Sequence, residues 1–302
     1  MTSAAALAPP VRCRRLTKFY GRHPGIVDLD LEFRRGQICG LLGPNGAGKT
    51  TVLRLLVGLL RPSRGEALVF GVPSSDPEAR RRVGFMPADP AFYSNLTGME
   101  NLDLLASLQG AEECPDRRWA AELLSLEERD LRRPVGGYSS GMIQKLGIIQ
   151  AVQHRPSLVV LDEPANRLDP IARRSFEEMV RHIAARGGTV VLSSHQLAEV
   201  ERTCDTVAMI RRARLLTVEA VASLRSKALR RVTARLKGDP GCVPPELLEP
   251  VVENGLLKAR LQAGKPHVIA ALAADPAVED LLVEPASLEE TFVHLYSEQA
   301  PE

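Results

Sequence analysis

The chain has 302 residues, a length that fits about two domains, and sets 39 Lys plus Arg against 37 Asp plus Glu. That near balance argues against a protein built on non-specific nucleic-acid binding, and aromatics at 4% leave Leu, Val, Ile and Ala to fill the cores. Cys13, Cys39, Cys114, Cys204 and Cys242 make no C-x-x-C pair and read as buried reduced thiols; no run of about 18 apolar residues spans a membrane, and Met1 to Pro10 lacks the basic and apolar regions of a signal peptide.

In chain order, residues 1–10 read as disordered, and Val11–Leu16 and Leu29–Phe33 as strands. Gln37–Leu42 is an apolar strand that runs into Gly43-Pro44-Asn45-Gly46-Ala47-Gly48-Lys49-Thr50-Thr51. This is the pattern G-x-x-x-x-G-K-[ST] of a phosphate-binding loop, and a helix with apolar Val52, Leu55, Leu56 and Leu59 follows it. The glycines let successive N–H groups turn toward an anion, and the helix start adds its positive end. Lys49 can reach the β- and γ-phosphates, and the Thr50 hydroxyl can ligate Mg²⁺. The helix is expected to run to about Leu60, before Arg61-Pro62-Ser63-Arg64-Gly65. Glu66–Phe70 and Val83–Met86 read as further strands.

From about Thr97 to Arg155 the pattern is helical. Within it, Tyr138-Ser139-Ser140-Gly141-Met142 precedes an apolar helix that begins near Ile143. Small residues there leave N–H groups for a second anion site, or simply cap the helix through Ser139 or Ser140. Leu158–Leu161 is a strand that ends in Asp162-Glu163-Pro164. Asp162 suits a Mg²⁺ ion held largely through water, and Glu163 suits a general base toward a water near the γ-phosphate. A helix over Pro170–Arg186 leads to the strand Thr189–Ser193. His195 follows at the carboxyl edge, where ligands sit in open α/β sheets, and can donate to the γ-phosphate. His23, His154, His182, His267 and His294 show no metal spacing.

The alternation predicts parallel strands with helical crossovers, interrupted by a helical insert at about 97–155. Beyond about Thr217, Val232–Leu236, Leu256–Leu261 and Asp280–Glu284 read as strands, and Val268–Ala273 and Leu288–Tyr296 as helices. The expected organisation is a nucleotide-binding domain over 11–217 and a small α+β domain over 218–302.

Taken in this order, the segments resemble the ATP-binding subunit of ABC transporters, over about residues 11–215. GPNGAGKTT matches the family's Walker A motif and LVVLDEP its Walker B motif. YSSGM resembles the signature motif in the form common among drug and polysaccharide exporter ATPases. Asn166-Arg167-Leu168-Asp169 occupies the D-loop, SSHQLAEVE contains the switch histidine His195, and Tyr20 matches the aromatic that stacks on adenine. The resemblance implies an α/β fold: a P-loop NTPase core of ABC type, with a mainly parallel sheet, an antiparallel β edge and a helical insert. It implies ATP and Mg²⁺ as cofactors, hydrolysis by an ATPase, and two cassettes paired head to tail. Ser139, Ser140 and Gly141 would then act on the partner's nucleotide. The second cassette would be a copy of this chain or a related subunit. The further partner is a separate transmembrane permease, which places the chain in the cytoplasm, peripheral on the cytoplasmic face of the cell membrane. No nucleic acid is expected. The signature form and the C-terminal extension, matched best by Ala286–Leu295, imply export.

The sequence departs from that pattern in the signature, where Leu-Ser-Gly-Gly-Gln reads Tyr138-Ser139-Ser140-Gly141-Met142, and at three further positions. The family usually has Gln after the strand at Val83–Pro87, and here Ala88 is followed by Asp89. Ala165 stands for the usual Thr, and Arg167 for a small D-loop residue. These changes keep a second reading in view: a soluble nucleotide-gated switch, or the impaired half of a heterodimeric ATPase, with little turnover. Arginine clusters at Arg80–Arg82, Arg132-Arg133 and Arg211-Arg212 read as solvated faces, the first lying beside the segment that would meet the permease.

Overall fold

The computed structural model describes residues 8–227, 229–237 and 243–285. The helix expected at Leu288–Tyr296, the stretch Ala286–Leu295, His294 and Cys242 lie outside the described residues. The chain divides into two compact units, Met1–Glu219 and Ala220–Glu302.

In the first unit the strands are β1 (Val11–Tyr20), β2 (His23–Phe33), β3 (Ile38–Leu42), β4 (Arg64–Val69), β5 (Val72–Pro73), β6 (Val83–Met86), β7 (Leu158–Leu161), β8 (Thr189–Ser194), β9 (Thr206–Arg211) and β10 (Arg214–Ala220). The helices are α1 (Lys49–Leu56), α2 (Pro77–Arg81), α3 (Gly98–Leu108), α4 (Arg117–Leu123), α5 (Glu128–Leu131), α6 (Ser140–Val152), α7 (Pro170–Ala185) and α8 (Leu197–Thr203). One sheet runs in the order β10-β9-β3-β8-β7-β6. From β9 to β6 its neighbours pair in parallel. Every residue of β3, β7 and β8 is buried, which is why β3, β7 and the Val190–Leu192 centre of β8 are continuous apolar runs rather than alternating ones. Because the strands are parallel, the segments after β3, β6, β7 and β8 all leave from one edge of the sheet.

The antiparallel strands form a sheet of their own, in the order β2-β1-β4-β5. β1 is longer than its apolar start suggests, because Gly21 at φ 59° turns it into a hairpin with β2. Between β6 and β7 the chain is helical, α3 to α6. Local chemistry explains the helix starts. Thr97 and Glu100 make a capping box on α3, and Asp169 accepts from the N–H groups of Ile171 and Ala172 ahead of α7, which opens on Pro170.

Two expectations need correcting. α1 stops at Leu56, not near Leu60, because Gly58 takes φ 70°, the left-handed conformation that ends helices. The expected disorder does not reach Pro10, which is buried and whose carbonyl accepts from the Phe70 N–H at 3.2 Å.

The second unit contains α9 (Val221–Lys227), β11 (Leu229–Leu236), β12 (Leu248–Glu253), β13 (Leu256–Gln262), α10 (Pro266–Ala274) and β14 (Val278–Pro285). Its antiparallel sheet runs β12-β13-β11-β14. Val232, Ala234, Leu257, Ala259 and Leu261 alternate onto one face and form a core with Val268 and Leu272 of α10.

Candidate functional site

The segment after β3 is shaped by close backbone approach. A Cβ at Gly43 would stand 2.1 Å from the Ile210 carbonyl oxygen, and one at Gly48 would stand 2.3 Å from that of Gly25. Gly48 also takes φ 111° as the N-cap of α1. Only glycine fits either position. The first turn of α1 carries no acidic side chain, so its unpaired N–H groups and dipole remain a favourable seat for an anion. Lys49, the first residue of α1, is buried. Its amine donates to the carbonyls of Gly43 at 2.8 Å and Pro44 at 3.3 Å, and lies 3.3 Å from Glu163 Oε1.

Glu163 sits just past β7 with φ 49°, and its carboxylate is held on two sides. Oε1 faces Lys49, and Oε2 is 2.9 Å from His195 Nδ1. Asp162, next to it, is 1% exposed. A single hydroxyl fixes both residues. Ser193 Oγ donates to Asp162 Oδ1 at 2.6 Å and accepts from the Glu163 N–H at 2.8 Å. Gln144, fully buried in α6, donates to the carbonyls of Glu163 at 3.2 Å and Pro164 at 2.9 Å. Behind His195, the Ser194 hydroxyl donates to Glu199. Burial raises the Glu199 carboxyl above the usual carboxylate range. The Ser194 bond opposes this, and the Glu163 charge adds to it.

The structure therefore gathers Lys49, Asp162, Glu163 and His195, four residues singled out from sequence, into one cluster at the carboxyl edge. Thr50 follows Lys49 on α1, half-buried. Its hydroxyl and the Asp162 carboxylate are hard oxygen donors of the kind Mg²⁺ takes, beside a seat for phosphate oxygens that would complete its shell. Among the described residues no group of three or more His, Cys, Asp or Glu side chains forms a metal cage. At the other end of the loop, Tyr20 packs its ring on Gly25, with its hydroxyl 3.4 Å from Thr51 Oγ1 and 45% of the residue exposed. Ser139, Ser140 and Gly141 open α6. Ser139 is its N-cap, accepting from the Met142 N–H at 3.2 Å, and Ser140 is exposed. Gly141 approaches the Arg167 carbonyl, where a Cβ would stand at 3.2 Å. Ser193 and Gln144 were not visible to sequence reasoning. The only available signals were a hydroxyl two residues before His195 and an amide on an otherwise apolar helix.

Burial pushes the Cys13 thiol up to about 12, with the Asp30 charge adding to it, and also raises Cys39 and Cys204. These thiols are inert at neutral pH. Of the Arg80–Arg82 cluster, Arg82 turns inward, its guanidinium 3.8 Å over the Phe70 ring. Arg80 and Arg81 line a cleft of about 540 Å³ with Phe85, Leu59, Leu108 and Gln150. Arg132 and Arg133 pair with Glu128 and Asp130 on the surface.

The ABC transporter family model matches residues 26–166. The bacitracin transport ATP-binding protein BcrA of Bacillus licheniformis is 38% identical over 209 residues, 68% of this chain and 68% of that one. This chain belongs to the ABC transporter family. A fluoroquinolones export ATP-binding protein of Mycobacterium tuberculosis is 35% identical over 247 residues, 80% of this chain and 81% of its own. An uncharacterized ABC transporter ATP-binding protein of Nostoc is 40% identical over 190 residues, and this chain spans 56% of its length. Among solved structures, the ATP binding subunit of an ABC transporter aligns with a TM-score of 0.66 at 32% identity, over 71% of this chain and 91% of that one. The ABC cassette here is thus an ATP-binding subunit of the ATPase class, with the α/β fold expected of it. Among the described residues no helix is long and apolar enough to cross a membrane.

Proposed function

We propose that this chain is the ATP-hydrolysing subunit of an ABC exporter. Two cassettes, copies or relatives of one another, close around ATP·Mg²⁺ and drive a separate permease from the cytoplasmic face of the membrane. The observation that carries this reading is the cluster in which Glu163 lies between buried Lys49 and exposed His195, beside buried Asp162. Glu163 takes the proton of the attacking water while the water oxygen bonds the γ-phosphorus and the bridging P–O bond breaks. Lys49 holds the phosphate charge. His195 orients the Glu163 carboxylate and lies at hand for the γ-phosphate. Thr50 and Asp162 would hold Mg²⁺, which when bound would neutralise charge on the transferring phosphoryl group. The loop from Gly43 to Thr51, including Pro44, Asn45, Gly46, Ala47 and Gly48, cradles the phosphates, and Tyr20 offers its ring to adenine. Ser139, Ser140 and Gly141 serve the nucleotide held by the second cassette.

Export is supported by the form of Tyr138–Met142 and by the likeness to proteins named for bacitracin transport and fluoroquinolone export. The permease docks at the cleft beside α2, where Leu59 and Leu108 are exposed next to Arg80 and Arg81. Ala88, which has no polar side chain, favours the second reading of a nucleotide-gated switch. Vesicles holding the candidate permease and loaded with a fluorescent drug separate the two. ATP-dependent efflux that Glu163→Gln abolishes supports the exporter. Turnover without drug movement removes the export reading, and absence of turnover leaves the switch.

A further inference from the structure

Arg167, a departure from the family pattern, meets Asp89, the residue after a second departure, Ala88, across 78 residues of sequence. Arg167 Nη2 donates to Asp89 Oδ1 at 2.6 Å. Asp89 follows Ala88 in the segment after β6, and Arg167 closes the turn after β7 that begins at Asp162. That turn is lightly held from within. Its own backbone bonds, Asn166 N–H to the Glu163 carbonyl and Leu168 N–H to the Ala165 carbonyl, are 3.2 and 3.3 Å long. Glu163 and Arg167 both sit in the left-handed region, at φ 49° and 66°, which non-glycine residues seldom adopt without outside support. The support comes from three places. Ser193 and Gln144 grip the start of the turn, Gly141 lets α6 press on the Arg167 carbonyl, and Asp89 fixes the Arg167 side chain. The segment bearing Asp89 is itself anchored on α6, where Pro90 lies against Gly147.

We propose that the Arg167–Asp89 pair is a positioning clasp. It holds the turn over residues 163–167 so that Glu163 faces Lys49 and His195, and it lets the segment after β6 control that turn although position 88 carries no polar group. The inference rests on the reading of Glu163 as the base. Arg167 is a positioning residue that acts through Glu163.

The test is steady-state ATP hydrolysis by the full chain with Arg167→Ala, Asp89→Ala, the double alanine variant, and the reversed pair Arg167→Asp with Asp89→Arg. Glu163→Gln is run alongside. An exposed ion pair limits the effect to about fivefold. Each single alanine variant is expected to lower kcat about three- to fivefold, with KM for ATP within about twofold of wild type and an unchanged unfolding midpoint. The double variant should be no slower than the worse single one, and the reversed pair should recover at least about half of the lost rate. Losses that multiply in the double variant, a reversed pair as slow as the worse single, or a change confined to KM would overturn the clasp while the Glu163 dependence stands. A wild-type rate indifferent to Glu163→Gln overturns the site reading, and the clasp with it.

Discussion

Ser193→Ala isolates the hydroxyl that joins the two acidic residues of the site. Ser193 is fully buried, donates to Asp162 Oδ1 at 2.6 Å and accepts from the Glu163 N–H at 2.8 Å. Alanine removes one hydrogen bond to a charged acceptor, worth about 1.5–3 kcal/mol. It also leaves an N–H without its partner, at about 1–3 kcal/mol. A water entering the vacated space recovers part of both, so the expected loss is about 3 kcal/mol. If Asp162 holds Mg²⁺ as proposed, losing the hydrogen bond behind its carboxylate should also weaken Mg²⁺ use by about 10–100-fold. Urea unfolding measures the first effect, and a Mg²⁺ titration of ATP turnover the second. A stability change below about 0.5 kcal/mol together with an unaltered Mg²⁺ requirement would refute the claim that Ser193 organises the pair.

Gly43→Ala places a methyl 2.1 Å from a backbone oxygen, so the loop must shift, and ATP affinity should fall at least about tenfold by equilibrium nucleotide titration. Asp116 receives Arg155 and Arg186. Burial alone would raise its carboxyl, but the two guanidinium groups hold it below the usual range. Its contribution is therefore complete above the ordinary Asp pKa of about 3.9 and is lost as pH falls through the lowered native value. Asp116→Asn should flatten that acid limb in unfolding curves taken between about pH 2 and 5. Native Cys13 should resist alkylation at about pH 8.5 and react after urea unfolding, with peptide mass mapping as the readout, because its thiol titrates only near 12 when folded.

The central sheet was legible because burial wrote itself into composition. Leu158–Leu161 is apolar without interruption and Thr189–Ser193 carries the apolar centre Val190–Leu192, the pattern of parallel strands covered on both faces. Pro170 at a helix start made α7 readable to within one residue. Other elements were hidden by equally specific causes. β12 contains Pro250, which reads against a strand, yet β12 is an edge of its sheet, where a missing N–H is tolerated. β9 went unread because a short apolar run between Asp205 and Arg212 carries no period that separates strand from helix. At the site, the residues bound to a local pattern were legible: Lys49 in its loop, and Asp162 and Glu163 at a strand end. The groups that hold them were not. Ser193 reaches back 30 residues, Gln144 forward 19, and Arg167 finds Asp89 across 78, and no local spacing records such pairings.

In the proposed reaction Glu163 is the group that takes the proton from water. The measurement is the initial rate of ATP hydrolysis by the purified chain with Mg²⁺, wild type against Glu163→Gln, with ATP binding measured on both. A loss of turnover of at least about a hundredfold with ATP affinity kept within a few-fold is the predicted result. Equal rates, or loss of binding and turnover together, would contradict it.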